Sequence, residues 1–160
     1  MTDVTPQEIL IWFKERVVEA LRLPSDSVLI AAADTAPDVI PPGAVFAIVS
    51  PRDMRFRVPE QNRYQCTVEF IVRVRLYVRL AAEKPGTMTM LLTDADGSLY
   101  SMCARVIERV IDGEPPEGNF RGCLAATTSG PVEWLSPVEG NVSYVSIAMD
   151  FQADFDWALM

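Results

Sequence analysis

A chain of 160 residues fits one domain and can bury a core without metal or disulfide staples. Its 49% hydrophobic and 22% charged residues are the balance of an ordinary globular protein, and no apolar run approaches the ~20 residues of a membrane span. The absence of histidine removes Cys/His and Ser/His nucleophilic pairs together with the commonest metal ligand. A net charge of -8 argues against the whole chain gripping nucleic acid, which draws on clustered Lys and Arg.

Residues 1–6 are polar and lead straight into an amphipathic pattern, with no basic segment followed by an apolar one, so the expected compartment is the cytoplasm. Cys66, Cys103 and Cys123 are widely spaced and lack a CxxC pair, which fits reduced thiols in apolar positions. The charge is unevenly spread. Residues 51–80 hold seven arginines against three acids, whereas residues 112–160 hold eight acids against Arg121 alone. Such a split points to complementary surfaces, within the fold or between copies of it.

Thr5-Pro6-Gln7-Glu8 predicts a helix start: Thr as N-cap, Pro at the first helical position and Glu closing a capping box. The predicted helix runs to about Leu23, with Ile9, Phe13, Val17, Ala20 and Leu21 as its inner stripe, widened by Trp12 and Val18, and Pro24 as its stop. A short strand follows over Val28–Ala33, then a Pro-rich surface loop over residues 35–43 and a second strand over Ala44–Val49. Residues 51–63 carry Arg52, Arg55, Arg57 and Arg63 around the alternating piece Met54–Val58 and read as a projecting hairpin or loop.

Tyr64–Leu80 is the dominant pattern. Val68, Phe70, Val72, Val74, Leu76, Val78 and Leu80 occupy every even position, and Thr67, Glu69, Ile71, Arg73, Arg75, Tyr77 and Arg79 the odd ones. A period of two over this length predicts a long strand, one face apolar and the other basic. Glu83-Lys84-Pro85-Gly86 is a turn signal, and Thr87–Leu92 has no assignable pattern. Thr93 with Asp96 then predicts the capped start of a second helix, carried by Leu99, Met102, Cys103, Val106, Ile107, Val110 and Ile111 to a stop at Asp112-Gly113. Phe120–Thr128 is a predicted strand and residues 129–140 a broken stretch.

A second alternating run begins at Asn141. Ser143, Val145, Ile147, Met149, Phe151, Ala153, Phe155 and Trp157 share one face; Tyr144, Ser146, Ala148, Asp150, Gln152, Asp154 and Asp156 share the other. The predicted fold class is α+β: a mostly antiparallel sheet with two amphipathic helices packed on one face, in a single domain over residues 1–160. The two long strands are expected to pair antiparallel, directly or across a subunit boundary, with Arg73 opposite Asp156, Arg75 opposite Asp154, Arg79 opposite Asp150 and Tyr77 opposite Gln152. That register sets Val74, Leu76 and Val78 against Phe155, Ala153 and Phe151.

One motif carries potential chemistry. Leu91-Leu92-Thr93-Asp94-Ala95-Asp96-Gly97-Ser98-Leu99 resembles the first motif of haloacid-dehalogenase-type phosphatases, in which Asp94 would be the nucleophile and Asp96 the acid/base beside a carboxylate-bound magnesium. The rest of that site has no counterpart: no lysine follows Lys84. The aspartates are therefore read as favourable charges at a helix N-terminus. Gly97 is misplaced for an EF-hand, the later glycines do not space as a phosphate loop, and Trp12, Trp134 and Trp157 read as packing residues. No catalytic, metal or cofactor site is expected.

The order of elements, the long strand after an arginine-bearing segment and the alternating C-terminal strand resemble the tail terminator (tail completion) proteins of long-tailed bacteriophages and phage-like particles. The resemblance spans Thr5 to Trp157 and rests on architecture. It implies a virion tail protein assembled in the host cytoplasm, a homohexameric ring that stops growth of the tail tube and meets the head connector. It also implies DNA passing through without specific binding, and no membrane partner. Another neck, tube or baseplate subunit is the alternative within that class, and the phosphatase the alternative outside it. The expected interface residues are Arg52, Arg55, Arg57, Arg63, Arg73, Arg75, Arg79, Asp150, Asp154 and Asp156.

Overall fold

The computed structural model describes residues 4–32, 43–61, 64–80, 98–114, 120–129, 133–135 and 143–158. Helix α1 is Pro6–Leu21 and carries the expected box: the Glu8 amide donates to Thr5 Oγ1 (3.3 Å) and the Thr5 amide to Glu8 Oε2 (2.7 Å). These bonds hold the Glu8 carboxyl below its ordinary range. The helix ends two residues before the expected Leu23, because Arg22 turns left-handed (φ 53°) and its amide donates back to the Val18 carbonyl.

A single 3-10 turn, Ser25–Ser27, leads into β1 (Val28–Ile30). Gly43, at φ 108°, enters β2, which runs unbroken from Val45 to Arg57. The segment expected as a projecting hairpin or loop over residues 51–63 is thus corrected in part: Pro51–Arg57 is strand, and the chain turns only beyond Arg57. Pro51 falls at a position whose backbone turns to the outer side of β2, so the β3 ladder loses no donor, and the bulge between Pro51 and Asp53 inserts Arg52 and puts Met54 and Phe56 on one face and Arg55 and Arg57 on the other. The long strand is β3 (Gln65–Leu80).

Helix α2 is Leu99–Asp112. Its N-cap is Ser98, whose Oγ accepts from the Ser101 amide at 3.0 Å, so the expected cap at Thr93 is displaced by five residues. Thr93, Asp94 and Asp96, the turn at 83–86 and the Pro-rich loop as far as residue 42 lie outside the described residues. Strands β4 (Phe120–Ser129), β5 (Glu133–Leu135) and β6 (Ser143–Ala158) complete the order.

The sheet runs β1-β2-β3-β6-β4, with β5 also on β6; β1 is parallel to β2 and every other pairing is antiparallel. Both helices cover one face. Ile9, Phe13 and Val17 of α1 and Leu99, Met102, Val106 and Val110 of α2 share a core with Val68 through Val78 of β3 and Val145 through Phe155 of β6. The other face is not simply basic. Phe46, Ile48, Tyr77 and Tyr144 form a second buried cluster there, with Phe46 stacked on Tyr77 at 4.5 Å between ring centroids.

The two long strands pair directly and antiparallel, but not in the expected register. Residue numbers of every facing pair add to 223: Val68 faces Phe155, Ile71 Gln152, Val72 Phe151, Arg73 Asp150, Arg75 Ala148, Tyr77 Ser146 and Arg79 Tyr144. The expected pairs Arg73–Asp156, Arg75–Asp154 and Arg79–Asp150 are therefore incorrect. The observed offset aligns two 16-residue strands end to end and places Asp150, not an exposed aspartate, beside Arg73.

Gly113 closes α2 with an ordinary φ, so conformation is not why glycine stands there. A Cβ at that position would lie 2.8 Å from the Arg109 carbonyl oxygen and 3.3 Å from the Trp12 ring. The tight passage lets Trp12 Nε1 donate to the Glu114 carbonyl at 2.7 Å, tying α1 to the end of α2. Gly113→Ala is expected to cost about 1–3 kcal/mol by overpacking, read as a lower urea midpoint at unchanged slope.

Burial pushes the Cys103 thiol up to about 11. The unfolded thiol ionises from about 9 while the folded one stays neutral, so the stability this group contributes is complete below pH 9 and is lost as pH rises towards 11. The unfolding free energy of the wild type from urea denaturation should fall across that window more steeply than that of Cys103→Ala, by up to about 1.4 kcal/mol per pH unit.

Candidate functional site

Of the expected interface residues, Arg52, Arg73 and Asp150 meet on the sheet face opposite the helices, with Arg75 close by. The bulge at Pro51/Asp53 turns Arg52 inward, so that it reaches across β3 to β6: Arg52 Nη1 lies 3.0 Å from Asp150 Oδ2. From β3, Arg73 makes a two-pronged contact, Nε donating to Oδ1 at 2.8 Å and Nη2 to Oδ2 at 3.2 Å. The Asp150 side chain is only 8% exposed. One turn of the pleat further on, buried Arg75 donates from Nη1 to Ser146 Oγ at 3.1 Å. Three strands are thereby tied through one carboxylate.

Towards the hairpin end the remaining charges pair across or along β2. Arg55 Nε donates to Asp53 Oδ2 at 3.1 Å, and Arg57 Nε lies 2.9 Å from Glu69 Oε1. The register sets Glu69 level with Asp154, and each has its own partner: Glu69 the Arg57 guanidinium, Asp154 the Gln152 amide at 3.0 and 3.2 Å. Asp156 accepts from Thr67 Oγ1 at 3.0 Å. Arg79 is exposed beside Tyr144, away from the Asp150 cluster, and Arg63 lies outside the described residues.

Asp53, Glu69 and Ser146 escaped the sequence reading. The alternation Met54, Phe56, Val58 against Arg55, Arg57 was the available signal for strand, and with it for Asp53 and Glu69 as cross-strand partners. The same end of the sheet exposes Phe56 (54%) and Trp157 (48%), rings 6.1 Å apart, beside Val58 and Tyr64. They border a shallow apolar pocket of about 130 Å³ lined also by Val4, Pro6, Met54 and Phe155. A larger groove of about 420 Å³ between the helices is lined by Arg22, Arg105 and Arg109 with Glu19, Glu108 and Asp112, and Glu19 is already bonded to Arg109 at 2.8 Å.

The cluster around Asp150 holds charge in place. Its neighbouring hydroxyls, Ser50 and Ser146, are buried, and Ser146 Oγ accepts from the Arg75 guanidinium. Among the described residues, no group of three Cys, Asp or Glu is placed to hold a metal, and no helix is long and apolar enough to cross a membrane. Comparison with known proteins finds no matching family model and no significant relative among curated proteins.

Removing one partner from a buried pair leaves the other charge stranded, whereas trimming an exposed arm does not. Asp150→Ala is expected to lower stability by about 3–5 kcal/mol, and Arg52→Ala by about 1 kcal/mol or less. Urea denaturation of both variants checks the ordering.

Proposed function

We propose that this chain is a structural subunit of a phage-like tail, the terminator that forms a ring on the finished tube and joins it to the head connector. The observation that carries the reading is the sheet itself: long antiparallel strands, three of them locked through one buried carboxylate, with unlike outer strands and an exposed arginine and aromatic corner. A rigid plate of this kind suits assembly contacts, and arginine with aromatic residues is the composition favoured at interfaces. Heterologous contacts between copies close into rings when the rotation from one copy to the next closes. The net charge of -8 suits passage of DNA through such a ring, since like charge discourages sticking.

Purified protein added to growing tail tubes is expected to stop elongation and to appear as a ring at one tube end by negative-stain microscopy. Tubes that keep growing, with no bound ring, would count against the reading. A magnesium-dependent hydrolysis of p-nitrophenyl phosphate abolished by Asp94→Asn would replace it with the phosphatase.

A further inference from the structure

The sheet has two outer edges that differ in kind. At one, β1 covers only Ala47–Val49 of β2, with the Ala31 amide donating to the Val49 carbonyl at 3.0 Å. From Pro51 to Arg57 no strand among the described residues lies on the outer side of β2. Bonded and non-bonded pairs alternate along an antiparallel ladder. Since Val49 faces outward, Ile48 and Ser50 bond β3, and beyond the bulge Asp53 and Arg55 do so. Met54 and Phe56 thus turn their backbone groups outward. The Met54 amide is occupied by Asp53 Oδ1 at 2.9 Å, which leaves the Met54 carbonyl and both groups of Phe56 facing out.

At the other edge lies β4, paired with β6 on one side. By the same alternation Leu124 and Thr128 bond β6 through Gln152 and Asp150, and Cys123 turns its backbone outward. Crossing the sheet from β2 through β3 and β6 to β4 reverses direction three times, so the two edge strands run opposite ways. A copy placed beside β2 in the same orientation therefore presents β4 antiparallel to it, with its helices on the same side.

We infer that copies of this chain join head to tail by adding the β4 edge of one subunit to the Pro51–Arg57 edge of the next, extending one antiparallel sheet from subunit to subunit. This rests on the ring reading and names its contact. Charge selects β4 as the occupant. A two-fold pairing of β2 with itself would bring together two sets of Arg52, Arg55 and Arg57, of which Arg55 and Arg57 are 71% and 72% exposed. The β4 edge carries Arg121 alone and backs onto β6 with Asp154 and Asp156. An arginine on β2 can span the intervening strand, as Arg52 does within the subunit when it crosses β3 to reach Asp150. Strands are spaced about 5 Å apart, so the same reach takes Arg55 or Arg57 over a neighbour's β4 to its β6 aspartates.

The test is sedimentation velocity at low salt on the wild type, Phe56→Pro, Cys123→Pro and an equimolar mixture of the two variants, with circular dichroism to confirm folding. Each proline removes an outward donor from one edge only. The wild type should sediment as a closed oligomer and each variant as a monomer. The mixture should give a dimer and nothing larger, because one intact edge of each kind remains. Arg55→Glu combined with Arg57→Glu, at exposed side chains, should keep the fold and weaken assembly at least tenfold. Rings that survive both proline variants and the charge reversal overturn the edge contact and leave the ring reading standing. A folded mixture that stays monomeric, or a Cys123→Pro protein that assembles as the wild type does, also overturns the contact. A wild type that remains monomeric at high concentration overturns both.

Discussion

The antiparallel ladder between β3 and β6 is the constraint on which the rest depends. Its 16-residue partners lie level from Gln65 with Ala158 to Leu80 with Ser143. Because side chains alternate, one register fixes both faces at once. On the helix side it sets Val68, Val72, Val74, Leu76 and Val78 against Phe155, Phe151, Met149, Ile147 and Val145, the floor on which α1 and α2 lie. On the far side it brings Asp150 level with Arg73 and within reach of Arg52. The bulge in β2 completes that arrangement, since it aims Arg52 over β3. Shifting the ladder by even two residues would keep every side chain on its face and still strand Asp150.

That carboxylate changes what the arginine-rich segment is for. A stretch with seven arginines against three acids looks like a surface made for a partner, yet most of its charge is answered within the chain. Arg52 and Arg73 share Asp150, Arg55 takes Asp53 and Arg57 takes Glu69. These pairs are not equal. The buried one is costly to break and fixes geometry, while the exposed pairs at the hairpin end contribute little to stability and can exchange partners. Among the described residues, the exposed arginines of this stretch outside the Asp150 cluster are Arg55 and Arg57 at the outward edge of β2, with the aromatic pair Phe56 and Trp157 beside it, and Arg79 at the far end of β3.

The elements that were legible in the sequence are those whose signals are local. The capping box at Thr5, the helical spacing over Leu99–Ile111 and the two alternating runs each record a decision made within a few residues, and each appears in the structure. The cap of α2 misled because two side chains, Thr93 and Ser98, precede the same apolar stripe, and the nearer one is used. The register misled for a different reason. The expected and observed offsets differ by six residues, an even number, so both keep the apolar face apolar and binary pattern does not separate them. Matching charges then favoured exposed pairs, whereas the chain buries one pair among Arg73, Arg52 and Asp150. The second strand is likewise expected to end at Val49, since the bulge inserts one residue and puts the alternation before it out of step with that of Met54 to Arg57.

The parity of the sheet has its own consequence. From β2 through β3 and β6 to β4 each strand is antiparallel to its neighbour, and an even number makes the outer two run in opposite directions. A sheet with an odd number would meet its next copy in parallel, with slanted and slightly weaker pairing, or would require the copy to be inverted and its helices to change sides. Here the inferred extension would preserve both the antiparallel bonding and the side on which the helices lie. The right-handed twist of the sheet then rotates each added copy by a fixed increment relative to the last. Repetition of one heterologous contact with constant rotation generates either a closed ring or an open helix. In the inferred contact the short β1, which already occupies the outer side of Ala47–Val49, would confine the added strand to the hairpin half of β2, where the backbone of Met54 and Phe56 turns outward.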